Sequence, residues 1–322
     1  MIRFALHALS GLIGCLFVLA SGSAVADDGF ALLHKMAQNS RNLTYTGTFV
    51  YRSGTRTETS RIAHTQVDGR ELEHIEVLDG SPREVIRDGN DVKCFLPDEK
   101  LLIVERRPRP RGFPGILPAG LGSLPEHYAI RIGGNARVAG EDGRVIVLEP
   151  LDNLRYRHEL LMDTVSGLLL KAAMIAPSGD VLESFAFTQV KVGGVLDSAA
   201  LKPRFDPDRV RVQQVKTSEL KADELDWVFR ASLPGFRKVS TLKREASPTQ
   251  PERLHVVFTD GLASISVFIE AGTGTEGDVE TSSLGAVNVY RRQMHSHRLL
   301  VMGEVPAIAV KRLADGIERR RK

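Results

Sequence analysis

The sequence predicts an α+β protein with a large first domain built on antiparallel β-structure and a smaller second domain in which a sheet is packed by a helix. Three observations predict this. β-rich runs broken by D-G and related turn pairs extend from about residue 43 to residue 192; a polar stretch with little periodicity follows at 202–218; further hairpins then close on an amphipathic helix. A length of 322 residues suits two cores at roughly 150 residues each. With 42% hydrophobic and 26% charged residues the chain is neither disordered nor a polytopic membrane protein. Lys+Arg 43 against Asp+Glu 40 leaves a net +3, too small an excess to imply a nucleic-acid partner.

The first 26 residues have the pattern of a secretory signal. Arg3 gives a positive start, Leu9 to Ala20 is apolar but too short to span a bilayer, and Ala24-Val25-Ala26 is a small-x-small exit. Cleavage after Ala26 would leave residues 27–322 outside the cytoplasm. Cys15 departs with the signal and only Cys94 remains, so no internal disulfide is expected. Cys94 alternates with Val92 and Leu96, the pattern of a structural thiol in a strand, and no cysteine follows the apolar core to carry a lipid anchor.

A helix follows, capped by Asp27 or Asp28, with Phe30, Leu33, Met36 and Ala37 at three- and four-residue spacing up to about Arg41. The period then changes to two, and Leu43, Tyr45, Phe49 and Tyr51 fall on one strand face. Turn pairs Asp68-Gly69, Asp79-Gly80, Gly89-Asn90, Asp142-Gly143 and Ser178-Gly179 mark a meander of about ten strands, which curls into a barrel or a strongly bent sheet with the helix as a plug. Leu154, Tyr156, Leu160 and Met162 continue an inner face, alternating with outward Arg155, Arg157 and Glu159; Leu168, Leu170 and Met174 follow.

One segment interrupts the meander. Between Glu105 and Tyr128 lie five prolines, the arginines Arg106, Arg107, Arg109 and Arg111, and the apolar Phe113, Ile116, Leu117 and Leu121. Proline at that density excludes a strand, and a loop of this length is expected to be a lid or a binding segment. In the second domain, Leu254–Phe258 turns at Asp260-Gly261 into Ile265–Ile269, and Ala286–Gln293 returns through Arg298 to Met302. The closing helix has Pro306 in its first turn, an apolar stripe of Ala307, Val310, Leu313 and Ile317, and positive charge from Arg319 to Lys322 at its end.

No motif supports catalysis. Gly272-Thr273-Gly274-Thr275-Glu276-Gly277 matches G-x-G-x-x-G, yet it leads into another strand, where no helix N-terminus would meet a pyrophosphate. His295 and His297 are two ring nitrogens' worth of ligand with no third nearby, a weak metal set. H-E-x-x-H, C-x-x-C, G-x-S-x-G and Walker motifs are absent, so no enzyme, cofactor or metal is expected. A curved sheet with an apolar concave face suits an oily ligand and rim arginines suit phosphate or carboxylate; a simply filled core is the competing reading.

Over essentially the whole mature chain the sequence resembles the RseB/MucB family of periplasmic regulators of the sigma-E envelope-stress response. The likeness lies in Leu78 to Val85 (LDGSPREV) with Gly89-Asn90, Arg155-Tyr156 leading to Met162-Asp163 and Gly167-Leu168, Ser178-Gly179 to Phe185, Leu233-Pro234-Gly235-Phe236, Thr259 to Leu262 with Ser266-Val267, and Val301 to Pro306 with Lys311-Arg312. Their order and spacing make it specific. The resemblance implies a first domain (27–201) like the LolA and LolB lipoprotein carriers, a half-open antiparallel barrel with a helical lid that senses lipid, a linker (202–218), and a partner-binding domain (219–322). It implies a negative regulator that binds the periplasmic domain of a membrane anti-sigma factor of the RseA or MucA type, shields it from regulated proteolysis, and is released by lipopolysaccharide or a related lipid.

Residue alternation then places acyl chains against Tyr45, Phe49, Tyr51, Tyr156, Leu160 and Met162, and lipid phosphates on Arg106, Arg107, Arg109 or Arg111. For the anti-sigma partner the small domain offers Trp227, Phe258, Asp260 and Leu262, with a core role as the plainer reading of Trp227. A periplasmic lipid or lipoprotein carrier is the alternative function; pairing of the chain with a second copy is left open.

Overall fold

The computed structural model describes residues 22–106, 121–206, 210–221, 224–246, 251–275, 277–294 and 296–320. Helix α1 (Gly22–Asn42) leads into β1 (Tyr45–Ser53), β2 (Arg56–Val67), β3 (Arg70–Val77), β4 (Glu84–Asp88), β5 (Asp91–Leu96) and β6 (Leu101–Arg106). After the Pro-rich segment come β7 (Tyr128–Val138), β8 (Glu141–Pro150), β9 (Arg157–Asp163), β10 (Leu169–Ile175) and β11 (Val181–Val192). Each of these strands pairs with its neighbours in sequence except that β6 and β7 lie at opposite ends of the sheet, and β11 returns antiparallel beside β1. The sheet is therefore two meanders sharing a middle. Among the described residues its two edge strands do not pair with each other, so no closed barrel is formed.

Turn chemistry explains the reversals. Asp68 and Gly69 both have positive φ, 50° and 75°, as a two-residue hairpin of the primed type requires. The turn expected at Asp142-Gly143 lies elsewhere: the chain reverses at Ala139-Gly140 (φ 55° and 87°), and Gly143 sits within β8. Its glycine serves close packing, because a Cβ there would stand 2.6 Å from Leu161 Cγ.

Two apolar clusters hold the first domain. Leu33, Met36 and Ala37 of α1 pack on Ile130, Ile146, Leu148, Leu160, Met162 and Phe185. Tyr45, Phe49 and Ile62 pack with Leu161, Leu168, Leu170 and Phe187. The helix begins at Gly22, so Asp28 lies inside it and is not its cap. Cys94 is half-buried in β5.

The stretch expected as a linker is divided between the sheets. β12 (Arg211–Val215) lies parallel to β6 and extends the first sheet, whereas β13 (Thr217–Glu219) opens the second, leaving Lys216 between them. The second domain adds β14 (Trp227–Phe229), β15 (Arg237–Arg244), β16 (Arg253–Thr259), β17 (Ser264–Ala271), β18 (Val279–Leu284), β19 (Val287–Met294), β20 (His297–Gly303), α2 (Ala307–Asp315) and β21 (Ile317–Arg319). Its seven-stranded sheet runs β13-β15-β16-β17-β20-β19-β18, and β14 pairs with β21 beside it. Ala309, Val310, Leu313 and Ala314 of α2 close over Val256, Ile265, Val267, Leu299 and Val301. The helix stripe differs from expectation in two places: Ala307 is exposed, and Ile317 is buried from a strand, because the helix stops at Gly316. Arg319 is likewise a strand residue. The G-x-G-x-x-G segment leads into β18 and not into a helix.

Candidate functional site at the seam between the domains

The two domains meet around one carboxylate. Asp260 sits at the turn between β16 and β17, where Gly261 takes φ 106° and lets the chain double back. Its Oδ1 accepts the backbone N–H groups of Leu262 and Ala263 at 2.8 Å each, which fixes the carboxylate on its own turn. Its Oδ2 faces the first domain, accepting from Arg155 Nε at 2.5 Å and Tyr128 Oη at 3.2 Å. Arg155 and Asp260 are both cut off from solvent.

Arg155 is satisfied on every side. Nη1 donates to Asp152 and Nη2 to the Pro234 carbonyl, each at 2.5 Å. The guanidinium lies 4.7 Å from the Phe236 ring centre and 5.8 Å from that of Tyr128. The Leu233-Pro234-Gly235-Phe236 turn wraps it closely: Gly235 has φ 77°, and a Cβ there would lie 2.1 Å from His127 Nε2 and 2.7 Å from Arg155 Nη2. Beside the pair His158 is buried, and its burial pushes the imidazole down to about 4 against the pull of the Asp260 charge.

Apolar contacts reinforce the ion pair reciprocally. Leu154 of the first domain is part of the second domain's core, and Leu262 of the second packs against the first domain's helix cluster. Asn288 ties the seam further, donating to Tyr156 Oη at 2.9 Å and to the Val305 carbonyl at 2.8 Å. At the seam's other end the β1–β2 turn approaches the β18–β19 turn so closely that a Cβ on Gly285 would stand 2.2 Å from Ser53 Oγ and 3.1 Å from Gly54 N. Glu183, which accepts the Tyr51 hydroxyl at 2.6 Å, faces Glu304 there.

A separate cavity of about 460 Å³ opens on the first sheet beneath residues 198–204, lined by Thr46, Thr48, Arg61, His74, Lys191 and Arg204. Glu76 bridges Arg61 and Arg204 at 2.8 and 2.9 Å, and buried Glu84 receives the Arg204 N–H. The covering segment is thereby pinned to the sheet. Among the described residues no group of three or more His, Cys, Asp or Glu side chains could hold a metal ion.

Of the six residues expected to receive acyl chains, Tyr45 and Phe49 belong to one packed cluster, Leu160 and Met162 to the other, and Tyr51 touches both. Tyr156 is buried at the seam. None of the six lines the 460 Å³ cavity. Arg106 is exposed at the end of β6; Arg107, Arg109 and Arg111 lie outside the described residues. Trp227 is buried in the second core with its ring edge-on to His297 at 5.3 Å, and Phe258 packs in that core 5.2 Å from Phe229. Asp260 and Leu262 are engaged by the first domain. His295 lies outside the described residues.

The correction of most consequence concerns Arg155, which alternation put outward and which is the deepest cation of the molecule's seam, at 1% exposure. Residues 151–155 are bends, not strand, so the period of two does not apply there. The sequence signal that could have found it is a charged residue set between Leu154 and Tyr156 directly before a strand.

Comparison with known proteins matches the MucB/RseB N-terminal domain to residues 28–205 and the MucB/RseB C-terminal domain to residues 221–318. The chain is 29% identical over 312 residues to the sigma factor AlgU regulatory protein MucB of Pseudomonas aeruginosa, covering 93% of this chain and 94% of that one. It is 26% identical over 312 residues to the sigma-E factor regulatory protein RseB of Escherichia coli, covering 97% and 96%. In structure it is similar to MucB solved in complex with MucA(peri), with TM-score 0.71, 28% identity, and coverage of 92% of this chain and 100% of that chain. A second MucA/MucB complex, from Pseudomonas aeruginosa, gives TM-score 0.73 at 27% identity with the same coverage.

Proposed function

Because this chain belongs to the MucB/RseB family, we propose that it is a non-catalytic regulator of a sigma-E-type stress response, exported to the periplasm with cleavage after Ala26. It binds the periplasmic domain of a MucA- or RseA-type anti-sigma factor, keeps that domain from its first proteolytic cut, and lets go when a lipopolysaccharide-like lipid binds. The observation that carries this reading is likeness along both domains to MucB chains solved with MucA. We read the open sheet with α1 across it as a half-open, lidded cradle of the LolA/LolB kind.

The seam supplies a mechanism. If two domains held by a buried ion pair and two exchanged leucines take up two relative arrangements, a partner and a lipid that prefer different ones must weaken each other by the same free energy. With the domains seated as here, Asp260 and Leu262 are occupied internally, so a partner segment reaches them only when the seam opens.

Co-purification of residues 27–322 with the periplasmic segment of the anti-sigma factor from the same organism tests the reading. A stable complex that slows cleavage of that segment, and that dissociates on adding lipopolysaccharide, is the expected result. A chain that instead passes lipid or lipoprotein to an acceptor and gives no protection is a carrier.

A further inference from the structure

Across the first sheet the strand register sets Tyr45, His64, Glu73, Arg87 and Val92 opposite one another on β1 to β5, so all five share one face. Tyr45, His64, Glu73 and Arg87 are all buried, which is unusual for four polar side chains in one row. Part of the row is satisfied: Tyr45 stacks on His64 at 4.7 Å, and the His64 nitrogens face the Leu43 carbonyl at 2.8 Å and Glu71 at 3.2 Å.

The remainder is not. Arg87, at 7% exposure, has no hydrogen-bond partner on Nε or Nη1, and the Tyr45 hydroxyl has none. A buried donor left unmade costs roughly 1–3 kcal/mol, more for a charged one, so such groups call for an explanation. Burial, opposed by the Arg87 charge, pushes the Glu73 carboxyl up to about 7, so near neutrality part of it carries a proton. Arg87 Nε and Nη1 and the Tyr45 hydroxyl are thus buried donors without a partner, with the Glu73 carboxyl beside them. Glu71 and Glu73 oppose an incoming anion; Arg87 and Arg41 favour it.

The next row on the same face is aliphatic. Ile75, Val85, Cys94 and Ile103 lie opposite one another on β3 to β6, and all four are only half-buried. Polar donors at one end and a half-buried apolar track beside them, of which Ile75 also packs on the Tyr45 cluster, match a molecule with both characters.

We propose that this row receives a phosphate-bearing amphiphile, its phosphate oxygens held by Arg87 and Tyr45 and its chain lying along Ile75, Val85, Cys94 and Ile103. This rests on the reading of the first domain as lipid-sensing, and it moves the headgroup from the arginines after β6 to a buried arginine within the sheet.

Isothermal titration of residues 27–322 with monododecyl phosphate below its micelle-forming concentration tests it, with dodecyl maltoside and inorganic phosphate as comparison ligands. Monododecyl phosphate is expected to bind at one saturable site. Arg87→Gln should weaken it about tenfold or more, the worth of a charge-assisted pair. Glu73→Gln should tighten it several-fold, a gain that a purely structural role for the row does not produce, and Arg106→Gln should change it less than about twofold. Should Arg87→Gln fail to fold, Tyr45→Phe removes only the hydroxyl and is expected to weaken binding about fivefold at unchanged melting temperature. Unchanged affinity in these row variants overturns the site, as does inorganic phosphate binding as tightly as the amphiphile, which would make it a free-anion site. Equal binding of the maltoside leaves lipid sensing standing and removes the headgroup assignment; binding of neither amphiphile removes both.

Discussion

Arg155 of the first domain and Asp260 of the second meet at 2.5 Å with neither side chain reached by solvent. Such a pair adds little over a well-packed apolar contact, but removing one partner strands the other charge in the interior. It therefore acts as a specificity device for one seating of the domains more than as a source of stability.

Arg155→Met and Asp260→Leu are each expected to lower stability by about 3–5 kcal/mol, with the double variant recovering most of that loss. Urea unfolding of all four proteins checks the cycle, and small-angle scattering should show a larger radius of gyration for the single variants. Strictly additive losses would show that the two charges act independently.

Leu154→Ala removes a side chain that the first domain lends to the second domain's core. A loss of about 2–4 kcal/mol is expected by urea unfolding, the range for a leucine deleted from a packed core. A loss below ~1 kcal/mol would mean that the seam is loosely packed.

Gly235→Ala is expected to destabilise by more than ~1 kcal/mol, because φ 77° disfavours any Cβ and the added methyl would overlap His127 and Arg155. Gly69→Ala, at φ 75° with nothing within 4 Å of its Cβ, carries the backbone cost alone. The difference in melting temperature between the two variants measures the wrapping of Arg155.

Glu73 makes stability fall with rising pH. Its folded value of about 7 lies above the ordinary value of about 4.3, so the folded state holds the proton more tightly and stability is lost as pH climbs between those values. The amount is on the order of 3 kcal/mol, complete above the folded value. Glu73→Gln should therefore gain on the parent as pH rises from 5 to 8 in urea titrations. A constant gap would show that the carboxyl ionises in the folded state as freely as in water.

His158 works in the opposite sense. Its folded value of about 4 lies below the ordinary ~6.5, so the unfolded chain takes up the proton first and stability drops as pH falls through that window. His158→Leu should hold its stability better than the parent between pH 6.5 and 4. Parallel curves would place a charged imidazole at the seam without penalty.

The sheets were largely legible, and the reasons are local. Asp68-Gly69 and Ser178-Gly179 carry turn chemistry in the residues themselves, and Tyr45 and Phe49 alternate as a half-buried strand must. Asp142-Gly143 misled because glycine has two uses, and here Leu161 from the next strand claims the space a side chain would need. The seam was half legible. Asp260 announces itself in a D-G turn, whereas Arg155 lies 105 positions away and its burial depends on a domain contact that no window of sequence contains. Trp227, for which a core role is the plainer reading, and Phe258 both lie in the second core; large aromatics serve interfaces and cores alike, so residue type alone does not separate the two uses.

The division of residues 211–219 between two sheets restricts how the molecule is able to rearrange. A single residue, Lys216, joins the last rung of one sheet to the first rung of the other, and one residue spans only about 3.5 Å. While both strands stay zipped, the halves are unable to drift apart at this point, and relative movement is confined to a swing about Lys216 that opens the leucine contacts away from it. Wider parting requires β12 to peel from β6, so protection of the Val212 to Val215 amides against hydrogen exchange would report whether the molecule swings or comes unsewn.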